Sequence, residues 1–393
     1  MRVLVAFDKF KDSLTSPAAC ALTAAALRTA HPDWRVELCP LTDGGEGFCA
    51  ILTPAAGGTL ERHTVTGPRG APVDAALGFV ALEKIPPAAR ALLAIPAAPD
   101  AAPDAPPHRA ATVAIVEMAT SSGLALLPPA ERDPWHASTV GTGELLRAAA
   151  RPGVVAILLG IGGSATSDLG LGALTALGLE FRAAPGGAVS PPVPAHWSRI
   201  ARLTGRIPAA FPPLRIACDV TNPLLGPRGA AAIYGPQKGL RAADVTLLDH
   251  AAARLALMLC THCGASDALM DAPGAGAAGG LGFGLMAAAG ARLLPGFALV
   301  SAWLDLEPKL AAADLVITGE GRFDASSLTG KGPGALAARA LALGKPVHVF
   351  AGAVSAPGRE NLTLHAITPP GTELAPALRD AAANLAAAVH RAF

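Results

Sequence analysis

The sequence has few charged and few aromatic residues. The low content of charge limits the classes of protein to which the chain can belong. Of its 393 residues, only 16% are Asp, Glu, Lys or Arg and 51% are hydrophobic, which excludes an intrinsically disordered chain. The 31 basic and 30 acidic residues leave a net charge of +1, so no overall field attracts nucleic acid or an acidic membrane. Any anionic ligand must therefore be held by local groups.

Long apolar runs are lacking too. The strongest candidate, residues 281–304, is interrupted by Arg292 and Pro295, so we expect no membrane span. Residues 1–6 are apolar, but Asp8 and Lys9 follow at once, which is unlike a signal peptide. These observations predict a cytoplasmic protein.

Cysteine is sparse, with six residues in the chain. A disulfide framework would need a denser pattern. Cys260 and Cys263 form the one C-x-x-C motif, and no second pair stands at the spacing that a zinc site requires. We therefore expect buried or inert thiols.

What is present is an alternation of short apolar runs, loops bearing Gly or Asp, and Ala/Leu-rich helices, which is typical of an α/β fold. The predicted strands are 2–7, 35–40, 112–116, 154–159, 214–218, 315–318 and 346–350. A helix is expected over 17–30, with Pro17 at its first position and Ser13 or Ser16 as its cap, and each chain end forms a β-loop-α-β unit. The two units could share one parallel sheet. The Ala/Pro-rich residues 86–107 are expected to form a surface insertion without helix or strand.

The most informative loop follows the strand at 154–159. Gly160, Gly162 and Gly163 allow backbone N–H groups to approach an anion, and Ser164 and Asp168 add a hydroxyl and a carboxylate. A tight loop that needs only positive φ angles is the structural alternative.

Acidic residues occupy two further loops. Asp43 and Glu46 follow the strand at 35–40, and Glu320 and Asp324 follow the strand at 315–318. Carboxylates this close repel each other unless a cation lies between them, and Mg²⁺ binds one or two carboxylates together with phosphates. A plain turn would look similar. Asp219 ends another strand, where an Asx turn is the alternative.

Basic residues lie in the same kinds of loop, among glycines. They are Lys9, Lys11, Lys238, Arg322 and Lys331, and Gln237 and Lys238 stand between Gly235 and Gly239. This placement suggests phosphate binding, although solvated lysines would also explain it.

A dinucleotide-binding motif is the main rival. Residues 274–279 match G-x-G-x-x-G, but Pro273 precedes them instead of a strand, and no acidic residue stands near twenty positions beyond. An oxidoreductase is therefore disfavoured, and the P-loop motif is absent from the sequence.

Nine segments of the chain resemble, in order, motifs of the bacterial type I glycerate kinase family. The segments are 7–13 (FDKFKDS), 42–47 (TDGGEG), 117–124 (EMATSSGL), 142–144 (TGE), 160–168 (GIGGSATSD), 218–223 (CDVTNP), 235–239 (GPQKG), 276–280 (GAAGG) and 318–324 (TGEGRFD). The resemblance covers essentially the whole chain.

The resemblance implies an α/β protein of two domains. A flavodoxin-like parallel-sheet domain would be built from residues 1–65 and 285–393, and a mixed α/β domain, 66–284, would be inserted. It also implies ATP-dependent phosphorylation of D-glycerate with Mg²⁺ in an inter-domain cleft, giving 2-phosphoglycerate. The alternatives are a kinase that forms 3-phosphoglycerate and a non-catalytic ligand-binding homologue. No nucleic-acid or membrane partner is expected, and the sequence leaves the oligomeric state open.

Site residues are predicted within these motifs by role. Catalytic candidates are Asp168, which we favour as general base, with Asp219 and Asp324 as rivals, and Lys9. Candidates for binding substrate and phosphate are Lys11, Gly44, Gly45, Gly162, Gly163, Ser164, Gln237, Lys238, Arg322 and Lys331. Asp43, Glu46 and Glu320 are the predicted Mg²⁺ ligands.

Overall fold

A computed structural model describes residues 1–95, 111–324, 327 and 332–393. Its strands are β1 (Arg2–Phe7), β2 (Arg35–Leu38), β3 (Thr59–Thr66), β4 (Pro72–Ala81), β5 (Thr112–Glu117), β6 (Val154–Gly160), β7 (Leu179–Ala183), β8 (Ile200–Gly205), β9 (Leu214–Ala217), β10 (Arg292–Leu294), β11 (Leu315–Phe323), β12 (Val347–Val354) and β13 (Leu362–Ala366).

The described helices are α1 (Ser16–Ala30), α2 (Phe48–Ala55), α3 (Pro87–Leu93), α4 (Ala119–Ser122), α5 (Val140–Ala149), α6 (Leu171–Ala176), α7 (Ala230–Tyr234), α8 (Val245–Cys263), α9 (Leu281–Ala289), α10 (Gly296–Trp303), α11 (Leu306–Ala312), α12 (Pro333–Ala342), α13 (Leu374–Arg379) and α14 (Ala381–Ala392). Short 3₁₀ turns join several of them.

Two compact units make up the chain, residues 1–43 with 300–393 and residues 44–299. In the first unit, five strands form a fully parallel sheet in the order β13-β12-β11-β1-β2. The sheet draws on both chain ends, as predicted. Apolar residues of β1, β11 and β12 pack with α1 and α14 in a core that includes Val5, Phe7, Ile317, Phe350 and Leu385.

The second unit contains a six-stranded mixed sheet in the order β10-β9-β6-β5-β4-β3. Strands β3, β4 and β5 pair antiparallel, whereas β5, β6, β9 and β10 pair in parallel. β7 and β8 form a separate antiparallel pair. The predicted α/β class, with a parallel sheet and a mixed α/β part, is therefore confirmed, while the domain bounds at residues 65 and 285 stay predictions.

Several local predictions were wrong. Residues 319–323 were expected in a loop, but β11 continues to Phe323 because it pairs with β12 as far as Val354. The cap of α1 is Thr15, whose hydroxyl accepts from the Ala18 N–H at 3.3 Å, and neither Ser13 nor Ser16 serves. Residues 87–93 form α3, since Pro87 stands at the first helical position, where its missing N–H costs nothing. Residues 96–107 of the predicted insertion lie outside the described residues.

Among the described residues, no helix combines the length and the apolar character needed to cross a membrane.

Candidate active site

In the first unit, polar residues gather at the carboxyl edge of the parallel sheet, where open α/β sheets bind ligands. β1 and β11 run side by side with Phe7 opposite Gly319, so Asp8 and Glu320 are the next residues on neighbouring strands. The Leu41 N–H donates to the Phe7 carbonyl at 2.8 Å, which brings the chain leading to Asp43 to the same edge. The parallel register therefore collects these three acids.

The acids of this cluster act on one another. The pKa of Glu320 is raised to about 7, first by burial and then by the charges of Asp8, Asp324 and Asp43, while a hydrogen bond from Ser327 opposes the rise. Asp8 is 8% exposed, and one of its carboxylate oxygens accepts from the Lys9 N–H at 2.7 Å. Burial and the neighbouring acids therefore disfavour the ionised form of Glu320 at this edge of the sheet.

Cations partly balance these carboxylates. Lys9 Nζ lies 3.5 Å from an Asp43 oxygen, and Arg322 Nε lies 3.6 Å from an Asp324 oxygen. Lys11 is exposed, and its backbone N–H lies beside Gly321 of β11. Lys331 lies outside the described residues. The predicted residues Lys9, Asp43, Glu320 and Asp324 are therefore neighbours.

In the second unit, the parallel strands β5, β6 and β9 end in register, with Glu117 opposite Gly160 and Gly160 opposite Ala217. The glycine loop, residues 160–164, leaves the sheet at this edge. Its Gly162 N–H donates to the Gly44 carbonyl at 3.0 Å, and a Cβ on Gly162 would come within 2.5 Å of the Gly45 Cα. Two of the predicted loops therefore pack directly against each other.

The glycine loop is held on its other side by the segment that follows β5. The Leu124 N–H donates to the Gly163 carbonyl at 2.7 Å, and the Ala165 N–H donates to the Ser122 carbonyl at 2.9 Å. Gly163 has a φ of +73°, which side chains rarely adopt, and a Cβ there would lie 3.0 Å from a Glu46 oxygen. The loop is thus fixed closely beside Glu46.

Glu117 anchors the other packed loop, a role the sequence did not reveal. It is 3% exposed, and its two oxygens accept from the N–H groups of Gly47 and Cys49, each at 3.0 Å. These donors lie at the start of α2, where a negative charge also interacts favourably with the helix dipole.

Asp168 lies beneath the surface, with no exposed area. One carboxylate oxygen accepts from the Thr139 N–H and hydroxyl, both at 2.8 Å, and from the Gly172 N–H at 3.2 Å. The other oxygen accepts from the Gly170 N–H at 3.1 Å. Burial raises the pKa of Asp168, and these four donors oppose that rise. The carboxylate therefore ties the start of α6 to the segment before α5.

Lys238 is a buried basic residue of this unit. It is 2% exposed, and its Nζ lies 2.9 Å from the Ser164 Oγ and 2.6 Å from the Thr166 carbonyl. Burial lowers its pKa to about 7, and the charge of Asp168 opposes the shift. Gln237, the preceding residue, is exposed. Lys238 thus supports the glycine loop through Ser164.

Asp219 follows β9 and caps a helix. One of its oxygens accepts from the Phe297 N–H, in the first turn of α10, at 2.8 Å. This contact gives Asp219 a structural role in addition to the catalytic one predicted from sequence.

A magnesium ion would have to fit the donors present. Within the ranges that the structure describes, no three His, Cys, Asp or Glu side chains form a metal-binding group. Mg²⁺ does not need such a group, because it commonly takes one or two carboxylates together with phosphate oxygens. The mutual repulsion around Glu320 is the observation that suits a cation, since a positive charge there would relieve it.

Sequence reasoning missed Asp8, Glu117 and Thr139 as individual site residues. Asp8 and Glu117 each follow or end a buried apolar strand, and that position is a usable signal. Thr139 carries no such mark, because its partner Asp168 is 29 residues away along the chain.

Comparison with known proteins finds relatives named as glycerate kinases. A model described as "Glycerate kinase family" matches residues 3–393. The chain is 36% identical to the "Glycerate kinase" of Halalkalibacterium halodurans over 358 residues, covering 90% of this chain and 85% of the relative. It is likewise 36% identical to the "Glycerate 2-kinase" of Escherichia coli over 360 residues, covering 90% of this chain and 86% of the relative.

A solved structure agrees with these relatives. The crystal structure of a glycerate kinase 2 from Salmonella typhimurium is 35% identical and superposes with a TM-score of 0.71, covering 100% of this chain and 97% of the other. The family predicted from nine motifs is therefore confirmed: the chain belongs to the glycerate kinase family.

Proposed function

We propose that this protein transfers the terminal phosphoryl group of ATP to the 2-hydroxyl of D-glycerate, forming ADP and 2-phosphoglycerate. The observation that carries the proposal is its 36% identity, over 90% of the chain, to a relative named "Glycerate 2-kinase". That name also favours the 2-phosphorylated product over the 3-phosphorylated one.

The glycine loop supports phosphoryl transfer. This reaction requires positioning and neutralisation of charge on phosphoryl oxygens more than covalent chemistry. The N–H groups of Gly163 and Ser164 lie on a loop with a fixed conformation, which suits preorganised donors. We propose that the loop receives phosphate oxygens, with Gly44 and Gly45 packed against it as its support.

The acidic edge supports a metal-assisted reaction. We propose that Asp43 and Glu320 hold Mg²⁺. When bound, Mg²⁺ would neutralise charge on the phosphates. Lys9 lies beside Asp43 and would offer a second positive charge.

Binding of D-glycerate, the proposed phosphoryl acceptor, requires a positively charged group that can contact its carboxylate. Arg322 and Lys11 are the candidates, and a guanidinium can bind a carboxylate through two parallel hydrogen bonds. Arg322 has a side chain that is 73% exposed, so it is accessible to a small ligand.

A steady-state assay tests the proposal. The full chain with ATP, MgCl₂ and D-glycerate should release ADP, and replacing D-glycerate with L-glycerate, with lactate or with buffer should remove most of that release. A non-catalytic homologue would bind D-glycerate in calorimetry without releasing ADP. Equal ADP release with and without D-glycerate would contradict the proposed acceptor.

A further inference from the structure

Ser164 and Lys238 form a buried pair at the glycine loop. Lys238 is 2% exposed and Ser164 is 8% exposed, and the Ser164 Oγ and Lys238 Nζ are 2.9 Å apart. The second partner of Lys238 is a backbone carbonyl, that of Thr166, at 2.6 Å. Both partners are uncharged, so within the part of the chain that the structure describes the amine is held without a direct counter-ion.

The hydrogen bonds of the pair can also be formed by a neutral amine. A neutral lysine has two N–H donors and one lone pair. In the structure, Lys238 Nζ donates both to the Thr166 carbonyl and to the Ser164 Oγ. When the amine is neutral, the same 2.9 Å contact allows the Ser164 hydroxyl to donate to the nitrogen lone pair instead. Ser164 and Lys238 therefore have the geometry of a serine with an adjacent base.

Burial and a neighbouring charge act on Lys238 in opposite directions. Burial lowers its pKa to about 7, and the charge acting against that shift is Asp168. Asp168 directs its oxygens to Thr139, Gly170 and Gly172. On the neighbouring elements, the Tyr234 hydroxyl of α7 donates to Asn222, and Arg132 places its backbone carbonyl next to Gly239.

The carboxylates predicted as general bases make other contacts in the structure. Both oxygens of Asp168 are occupied by buried donors, and Asp168 has no exposed area through which a substrate could reach it. Asp219 caps α10, and Asp324 lies beside Arg322 in the acidic cluster. The Ser164 hydroxyl, by contrast, stands on the loop that we propose as the phosphate site.

We propose that Ser164 and Lys238 together remove the proton from the acceptor hydroxyl during phosphoryl transfer. The inference rests on the proposed function. As the oxygen of the acceptor forms its bond to phosphorus, its proton passes to the Ser164 Oγ and the Ser164 proton passes to the Lys238 Nζ. The bond from phosphorus to the bridging oxygen breaks, and ADP leaves with that electron pair. Ser164 ends unchanged and Lys238 ends as an ammonium.

The pH dependence of kcat/KM tests this role, because a base and a phosphate-binding cation require opposite states of Lys238. The proposal expects kcat/KM to rise with pH through about 7 in the wild type. It expects this rise to vanish in Lys238→Met, with a loss on the order of 10²-fold at pH 8. Activity that falls as pH rises through 7 would overturn the proposal and make Lys238 a binding cation.

Two further measurements keep the test decisive. Glu320 also titrates near 7, so a rise that persists unchanged in Lys238→Met would belong to that group and overturn the proposal. If Lys238→Met fails to fold by circular dichroism, Ser164→Ala decides, since near wild-type kcat/KM in that variant would exclude the relay. A wild-type enzyme that releases no ADP with D-glycerate would instead refute the proposed function.

Discussion

Replacing Asp168 with alanine is expected to lower the free energy of unfolding by roughly 3–5 kcal/mol. The substitution leaves four donors, two from Thr139 and one each from Gly170 and Gly172, without the acceptor they share. A buried donor without a partner costs about 1–3 kcal/mol, and the fully buried position limits rescue by water. Urea unfolding followed by circular dichroism measures the change.

A graded series separates this structural role from general-base catalysis. Asp168→Asn keeps one acceptor oxygen, so its cost should be smaller, about 2 kcal/mol. Asp267→Asn, at an exposed position of the same unit, serves as the matched control and should change stability by less than about 0.5 kcal/mol. If Asp168→Asn keeps wild-type stability and loses activity on the order of 10²-fold, Asp168 is a general base and our interpretation is wrong.

Replacing Glu320 with glutamine is expected to stabilise the protein at pH 8 and to weaken its response to Mg²⁺. In the folded chain, burial and the neighbouring acids raise the pKa of Glu320 to about 7, against about 4.3 in an unfolded chain. The carboxylate charge therefore costs stability above pH 7, costs less as the pH falls through 7, and costs nothing below about pH 4.

The size of this gain is limited by solvent, because Glu320 is only partly buried. After allowance for screening, we expect about 1–2 kcal/mol at pH 8 and no gain at pH 4. The same variant should need roughly 10–100-fold more Mg²⁺ for half-maximal turnover. Glu360→Gln, at an exposed position of the same unit, should change neither quantity. Loss of stability at pH 8 would contradict the described repulsion.

The sequence predicted four of the five strands in the parallel sheet of the first unit, because buried apolar strands without alternation are conspicuous, and it missed β13. Strand β1 of the first unit was predicted with its observed ends, and β5 and β6 of the second unit were predicted to within one residue of theirs. Strands β3, β4 and β8 were missed, since polar and apolar residues mix along them and no tight hairpin turn of the Asn-Gly type marks their ends. Their pairing depends on partners elsewhere in the chain.

Candidate site residues were easier to find than their roles. Asp168 stood out in a glycine-rich motif, and only the structure shows that its oxygens accept from the distant Thr139. Lys238 looked like a surface phosphate ligand, because burial of a lysine cannot be inferred from a glycine-rich segment. Glu320 was predicted in a loop, whereas it lies on β11, where strand register sets its acidic neighbours. Long-range packing, absent from local sequence, decides each of these roles.

Phosphorus NMR of the reaction products tests the central claim most directly. The full chain incubated with ATP, MgCl₂ and D-glycerate should yield a new phosphomonoester signal, split by a single proton as expected for a phosphate on carbon 2, in equal amount to the ADP formed. Inorganic phosphate as the only new product, or ATP left unchanged, would contradict the assignment of this chain as a kinase that phosphorylates glycerate.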